Sequence, residues 1–284
     1  MPKTERNRCT PPPAPSRGVY LYCFAHPASV GRIAVPGVDD DTEVAVLTAA
    51  EVAAVFSAVP LEIFNAPPGS AHLHDLSWIA PRARRHERVI ETVMQRSPVL
   101  PARFGTVLAS VAALERLMVR NAGAIREFLG RMADREEWSV KAFVDAPKTE
   151  AWLATAETLP AAIPGGGPLS PGLRYMHSRR LHLHARQRFE DWCRQTAADV
   201  GQSLAADAVD LCPLRLQSGE TTRAEPTSIL HCALLVLKNR VAAWRQRAAG
   251  IEAQYADRGL SLTVCGPWPP YSFCPPVLDA GPGE

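Results

Sequence analysis

The sequence of 284 residues lacks a long apolar run and the short motifs that mark common catalytic chemistry. No apolar stretch approaches the roughly 18–20 residues that a membrane helix requires. The start, MPKTERNRCTPPPAPSRG, carries charge and proline where a secretory signal would carry an apolar core. The patterns GxGxxG, GxxxxGK[ST], GxSxG and HExxH are missing as well. We therefore expect a cytoplasmic protein and find no recognisable reaction centre, cofactor site or small-molecule substrate site.

The sequence also lacks a large excess of charge of one sign, because its 31 basic and 29 acidic residues leave a formal net charge of +2. A nucleic-acid-binding domain is usually strongly basic, so this balance argues against nucleic acid as a partner. The composition, 46% hydrophobic and 21% charged, is that of an ordinary globular protein. The length exceeds the usual size of a single hydrophobic core, which predicts two domains.

The seven cysteines include no CxxC pair, so the sequence supports neither a zinc ribbon nor a redox dithiol. Cys23 and Cys265 lie in strand-like runs, where a free cysteine behaves as a small apolar residue. We expect reduced core thiols and no metal.

Hydrophobic periodicity and turn residues predict an α+β domain over residues 18–147. The first elements are a strand GVYLYCFA and the stretch TEVAVLTAAEVAAVFSAVP, whose alanines favour a helix but which we interpret as a hairpin that ends at Pro60. A helix with Pro81 in its first turn, a helix capped by Ser110 that runs to Met132, and a strand EWSVKAFVDAP closed by Pro147 follow. Helices on an antiparallel sheet in this order correspond to a modified ferredoxin-like plan.

A second α+β domain is predicted over residues 148–275, and it contains a Pro/Gly-rich internal linker or flexible loop at about 157–172. Residues 1–17 and 276–284 are predicted to be disordered tails. The elements of the second domain are a long helix at about 173–207, paired strands in AVDLCPLRLQS and SILHCALLVL, a helix ending at Gly259, and a strand LSLTVC. Pro267, Pro269 and Pro270 follow that strand, and because proline has no N–H to donate we expect the ladder to end there.

Histidines and arginines are concentrated in the long helix, in HSRRLHLHAR and its surroundings. His177, His182 and His184 are spaced by five and two residues, which does not place all three on one helix face as a metal site would require. The accompanying arginines are interrupted by Glu190 and Asp191. We interpret this segment as a solvated helix surface, with contact to an acidic protein surface as the alternative. The HLHD stretch at 72–75 is interpreted as a loop or cap.

Two short segments, VLPARFGTV and GPWPPYSF, combine rigid turns with aromatic residues and one arginine. Aromatic residues and arginine are enriched where proteins bind proteins, and they also close the ends of cores. Both roles stay open. The residues predicted for protein contact are Arg103, Phe104, Gly105, Trp268, Tyr271 and Phe273.

These segments, with GVYLYCFA and HERVIETVMQRSPVLPARFGTVLAS, resemble the gas vesicle accessory proteins of the L/F type over nearly the whole chain after residue 17. The resemblance implies two α+β domains and a non-catalytic role in gas vesicle assembly, either chaperone-like or as a minor structural component. It implies the hydrophobic shell protein and other accessory proteins as partners, with no membrane partner and a location in the cytoplasm and then the vesicle. Two alternatives remain: an enzyme with an interdomain pocket, and a nucleic-acid or regulatory binder that uses the arginine-rich helix.

Overall fold

The computed structural model describes residues 17–39, 42–64, 75–155, 171–216 and 226–275. The described residues fall into two compact units: unit 1 comprises those of 17–133 and 269–275, and unit 2 comprises those of 134–268. Each unit packs helices on an antiparallel sheet, which confirms the predicted α+β class. The predicted tails and the linker lie outside the described residues, except that Arg17 already belongs to a strand and Pro171 and Gly172 to a helix.

The sheet of unit 1 has the order β2-β3-β1-β4, and a short strand β5 also pairs with β1. The strands are β1 (Arg17–Ala25), β2 (Ala45–Ala49), β3 (Val52–Pro60), β4 (Val99–Pro101) and β5 (Val107–Leu108). β2 and β3 form the predicted hairpin, which ends at Pro60. Its two turn residues have φ of 48° at Ala50 and 61° at Glu51, as a type I′ turn requires.

The helices of unit 1 are α1 (Leu61–Phe64), α2 (Leu76–Met94) and α3 (Val111–Met132). The predicted cap of α3 is confirmed, because the Ser110 hydroxyl accepts a hydrogen bond from the Ala113 N–H at 3.2 Å. α2 begins earlier than predicted, since Asp75 caps it and leaves Pro81 beyond the first turn. Both α2 and α3 contact β1, which is buried without interruption from Gly18 to Ala25 and is therefore covered on both faces.

The sheet of unit 2 has the order β7-β8-β6-β9. Its strands are β6 (Arg135–Val144), β7 (Asp210–Pro213), β8 (Thr227–Leu237) and β9 (Leu260–Trp268), and its helices are α4 (Ala146–Thr155), α5 (Pro171–Ala205) and α6 (Val241–Tyr255). With α4 and α5 together forming the first crossover, this is a β-α-β-β-α-β succession of ferredoxin-like type. Trp244 lies at the centre of its core, and its indole N–H donates to the carbonyl of Leu204 at 3.2 Å.

The division of the chain differs from the predicted boundary at residue 147. β6 belongs to unit 2 because its two hydrogen-bonded neighbours, β8 and β9, lie there. Residues 269–275 return to unit 1, so unit 2 is an insertion in the chain of unit 1. Both sheets place their first four strands in the order 2-3-1-4. In unit 1 the described residues between β1 and β2 form no helix, which is the modification of the ferredoxin-like plan.

The expectation that proline ends the last ladder before Trp268 is wrong. β9 continues through Gly266 and Pro267 to Trp268, which pairs with Glu137 after a shift in register. The missing N–H of Pro267 is tolerated because β9 is the edge strand of its sheet and the shift marks an irregularity.

Gly259 and Gly250 provide a matched test of backbone constraint in unit 2. Gly259 has φ of +89°, and a Cβ there would lie 2.8 Å from Thr149 Oγ1 and 2.9 Å from the Asp145 carbonyl. We expect Gly259→Ala to lower the free energy of unfolding by about 1–3 kcal/mol. Gly250→Ala, inside α6 with no atom within 4 Å, should raise it by about 0.5–1 kcal/mol. Urea unfolding followed by circular dichroism measures both, and equal midpoints for the two variants would contradict the backbone constraint at Gly259.

Candidate functional site

The structure places five of the six predicted contact residues in unit 1 and the sixth in unit 2. Arg103, Phe104 and Gly105 form the turn between β4 and β5. Tyr271 and Phe273 begin and end a 3₁₀ turn in the C-terminal segment of unit 1. Trp268 is the last residue of β9, in unit 2, and its side chain is 43% exposed.

A fully buried histidine of α2, His86, connects the turn to the C-terminal segment. Its Nε2 lies 3.1 Å from the Ala102 carbonyl and 3.2 Å from the Tyr271 hydroxyl, and its Nδ1 lies 3.1 Å from the Tyr20 hydroxyl. Because a carbonyl can only accept, Nε2 carries the proton and Nδ1 accepts from Tyr20. The Tyr20 oxygen in turn accepts from the Gly105 N–H at 3.1 Å. We call the side chains of His86, Tyr20 and Tyr271, together with the Ala102 carbonyl and the Gly105 N–H, the His86 network.

The turn residue Phe104 packs its ring against this network. The ring stands nearly perpendicular to the imidazole of His86, at 89° and a centroid distance of 5.9 Å, and meets Tyr20 at 6.3 Å. Edge-to-face contacts of this kind are favourable for aromatic rings. The outer part of Phe104 stays in solvent, with 37% of the residue exposed. The turn therefore presents a fixed aromatic side chain.

Tyr271 is an anchor of the C-terminal segment. Its hydroxyl donates to Glu87 Oε1 at 2.8 Å while it lies within reach of His86. Arg131 of α3 donates from Nη2 to the Phe273 carbonyl at 3.0 Å, which gives the segment a second attachment. The polar end of Tyr271 thus points into unit 1, and its ring packs against the buried cluster around Tyr22 and Val89.

His86 and Glu87 were not identified from the sequence as site residues. One signal was present: His86 precedes Val89, Ile90 and Val93 by three, four and seven residues, so it lies on the apolar stripe of α2. A histidine on a buried stripe needs hydrogen-bond partners. Its partners Ala102 and Tyr271 are separated from it by 16 and 185 residues, and sequence spacing does not reveal them.

Burial controls the electrostatics of the network. It lowers the pKa of His86 from 6.5 to about 4, against a smaller opposing effect of the Ala102 carbonyl. It raises the pKa of the Glu87 carboxyl, which the Tyr271 hydroxyl partly offsets. It also raises the pKa of Tyr20 and Tyr271, so both phenols stay protonated. Around neutral pH the His86 network contains a neutral imidazole and two protonated phenols. The adjoining Glu87 carboxyl accepts from Tyr271 through Oε1, and its Oε2 has no hydrogen-bond partner within the described residues.

The other candidate binding sites in the described residues are two clefts and the histidine-containing surface of α5. A cleft of about 590 Å³ runs along α6 beside Arg240 and Arg247, and one of about 140 Å³ lies between residues 29–35 and the end of α2. His182 and His184 are exposed on α5, as predicted for a solvated surface. Across the described ranges, no three histidine, cysteine or acidic side chains are grouped as a metal site would require. The described helices include none long and apolar enough to span a membrane.

Removing one oxygen atom tests whether Tyr271 anchors the C-terminal segment. We expect Tyr271→Phe to lower the free energy of unfolding by about 1–3 kcal/mol, because the half-buried Glu87 carboxyl loses its donor. Tyr175→Phe is the matched control, since Tyr175 is 65% exposed on α5 and should be neutral. Chemical unfolding followed by tyrosine and tryptophan fluorescence measures both; an unchanged midpoint for Tyr271→Phe would contradict the anchor.

The buried neutral imidazole predicts a dependence of stability on pH. Between about pH 6.5 and pH 4 the unfolded chain takes up a proton at His86 and the folded chain does not. Stability is therefore complete above pH 6.5 and is lost as the pH falls towards 4, by about 3 kcal/mol from this group. Glu87, whose pKa is raised, acts in the opposite direction and is present in the wild type and the variant.

His86→Gln measures this contribution. Urea unfolding from pH 7 to pH 4.5 should show a slope of stability against pH that is smaller in His86→Gln than in the wild type by up to about 1.4 kcal/mol per pH unit. Parallel curves would show that the imidazole does not change protonation on unfolding.

The comparisons with known proteins agree on one family. The family described as "Gas vesicle synthesis protein GvpL/GvpF" matches residues 18–275. The chain is 29% identical over 229 residues to gas vesicle protein L of a Streptomyces species, which covers 78% of this chain and 80% of that protein. It is 26% identical over 280 residues to gas vesicle protein L2 of Halobacterium salinarum, with 95% of each chain covered.

Two crystal structures share the fold. GvpF from Anabaena has a TM-score of 0.65 at 18% identity, covering 92% of this chain and 97% of that one. GvpF from Microcystis aeruginosa has a TM-score of 0.61 at 20% identity, covering 90% and 98%. At these identities the likeness supports the α+β architecture, while the sequence match over residues 18–275 decides the family. The chain belongs to the GvpL/GvpF family of gas vesicle proteins.

Proposed function

We propose that this protein is a non-catalytic accessory protein that binds the hydrophobic gas vesicle shell protein during assembly. The observation that carries the proposal is the exposed Phe104, which is fixed on a turn by the buried His86 network. Family membership supports the gas vesicle role, and two relatives are named gas vesicle protein L and L2. Binding occurs in the cytoplasm during assembly, before the shell protein joins the vesicle.

The physical argument starts from the partner. A shell subunit with one apolar face aggregates unless that face is covered, so its carrier needs apolar anchors and no reaction centre. Aromatic and arginine residues dominate the energy of such contacts. Phe104 stands next to Arg103, and both are exposed on the same turn. Because the turn is fixed by Tyr20 and His86, little conformational entropy is lost when it binds.

Trp268 is a second candidate anchor, on unit 2. It is 43% exposed at the end of β9, and pairing with Glu137 on β6 fixes its backbone. Tyr271 contributes indirectly in this proposal. Its hydroxyl donates a hydrogen bond to Glu87 and lies within hydrogen-bond distance of His86. Tyr271 therefore stabilises the histidine that fixes the turn, without itself contacting the partner.

Single substitutions of the two exposed aromatic residues test the proposal. With the shell protein co-expressed and the accessory protein captured on resin, Phe104→Ala and Trp268→Ala should each reduce the captured shell protein by about tenfold, equivalent to ~1.4 kcal/mol. The thermal unfolding of both variants should stay close to that of the wild type, since each side chain is more than one-third exposed. Val119→Ala is the control, because Val119 is 60% exposed on α3 and is not one of the predicted contact residues. Equal capture by all four proteins would overturn the proposal.

A further inference from the structure

The outer edge of the unit 1 sheet is formed by β2, which pairs with β3 on one side and with no described strand on the other. The pairing pattern identifies the backbone groups that face outwards. In a hairpin with a two-residue turn, the pair next to the turn is hydrogen-bonded, and hydrogen-bonded pairs then alternate with non-hydrogen-bonded ones. That pair is Ala49 with Val52. Leu47 and Ala45 therefore also bond to β3, while Val46 and Thr48 direct their N–H and carbonyl groups away from it.

The N–H and carbonyl groups of Val46 and Thr48 are available for hydrogen bonds to an added strand. Within the described residues, no side chain or backbone group bonds to the N–H or the carbonyl of Val46 or Thr48. Val46 is 38% exposed, and Thr48 is exposed as well. The seven residues from Val44 to Ala50, VAVLTAA, carry no charge and no proline. Charges and proline are the usual devices that keep an edge strand from pairing with another chain.

The corresponding edge of unit 2 is protected. That edge is formed by β7, on which the Leu211 N–H donates to Asp210 Oδ1 at 2.8 Å and Pro213, the last residue of the strand, has no N–H to donate. A carboxylate and a proline thus interrupt the groups that an added strand would need. The two sheets share one strand order, and β2 lacks both devices.

We propose that an uncharged, extended segment of the shell protein binds by adding a strand to β2. This inference rests on the proposed function, which supplies the partner, and it states how that partner is held. Strand addition satisfies the N–H and carbonyl groups of Val46 and Thr48 with four hydrogen bonds and places apolar side chains beside VAVLTAA. An apolar segment fits because β2 offers no charge to which an ionic segment would pair.

Other occupants fit this edge less well. Donors and acceptors that alternate along a line at a two-residue spacing match the backbone of an extended chain, and neither a lipid surface nor a nucleic acid presents that pattern. A second copy of this protein could pair its own β2 in antiparallel fashion. Two five-residue strands alone bury much less than the roughly 800 Å² per partner of a stable interface.

Proline substitution at the outward positions tests the proposal. Val46→Pro and Thr48→Pro each remove one outward N–H and none of the hydrogen bonds to β3, so the hairpin should persist as an edge strand. We expect each variant to capture at least tenfold less co-expressed shell protein than the wild type, at unchanged circular dichroism. Val46→Thr keeps the N–H and the branched shape at the same position, and should capture shell protein as the wild type does.

Hydrogen–deuterium exchange of the wild-type protein provides a second readout that needs no variant. The amides of Val46 and Thr48 should exchange fast in the free protein and at least tenfold more slowly in the complex with shell protein. The amides of Leu47 and Ala49 should be slow in both states, because they already bond to β3.

The outcomes separate this inference from the proposed function. If the wild type captures shell protein and the proline variants capture it equally, strand addition is wrong and the proposed function stands. If the wild type captures none, the proposed function fails and strand addition fails with it. If Val46 and Thr48 become protected in the protein alone, with a doubled mass in solution, a second copy occupies the edge and the inference is overturned.

Discussion

The neutral, buried imidazole of His86 is the constraint on which the surface of unit 1 depends. A buried polar ring must have its hydrogen bonds satisfied, and here the partners come from β1, the turn after β4 and the C-terminal segment. Satisfying one side chain therefore fixes three distant parts of the chain in one arrangement. The ring of Phe104 packs against His86 and Tyr20, so this arrangement also fixes the position of an exposed side chain.

The sheets of the two units have the same strand order but differ in their edge strands. Both sheets have the strand order 2-3-1-4 with antiparallel pairing throughout. In unit 2 the edge strand β7 carries Asp210, whose carboxylate accepts from the Leu211 N–H, and Pro213. The edge strand β2 at the same position in unit 1 is apolar and has open backbone groups. The two sheets thus share one strand order and differ in how the edge strand at this position is protected.

Local signals predicted the elements well, because their causes are local. The Ser110 cap, the apolar spacing of α3 and the β-branched residues around Ala50 act within a few residues, and the helix and hairpin they predicted are present. Membership of β6 was not predictable in this way, since its partners β8 and β9 follow about 80 to 130 residues later in the chain. The same holds for the site: the aromatic turn could be identified from its residues, while the inward direction of Tyr271 depends on His86, 185 residues away.

The insertion of unit 2 into unit 1 has a consequence for synthesis of the chain. Residues 134–268 are translated between α3 and the segment that carries Tyr271, an interval of about 7–27 s at usual elongation rates. Throughout that interval the growing chain contains all strands and helices of unit 1 in its sequence but lacks the phenol that reaches His86 and Glu87. The finished surface therefore requires translation through Phe273, and a product that terminates before Tyr271 lacks the contacts with His86 and Glu87.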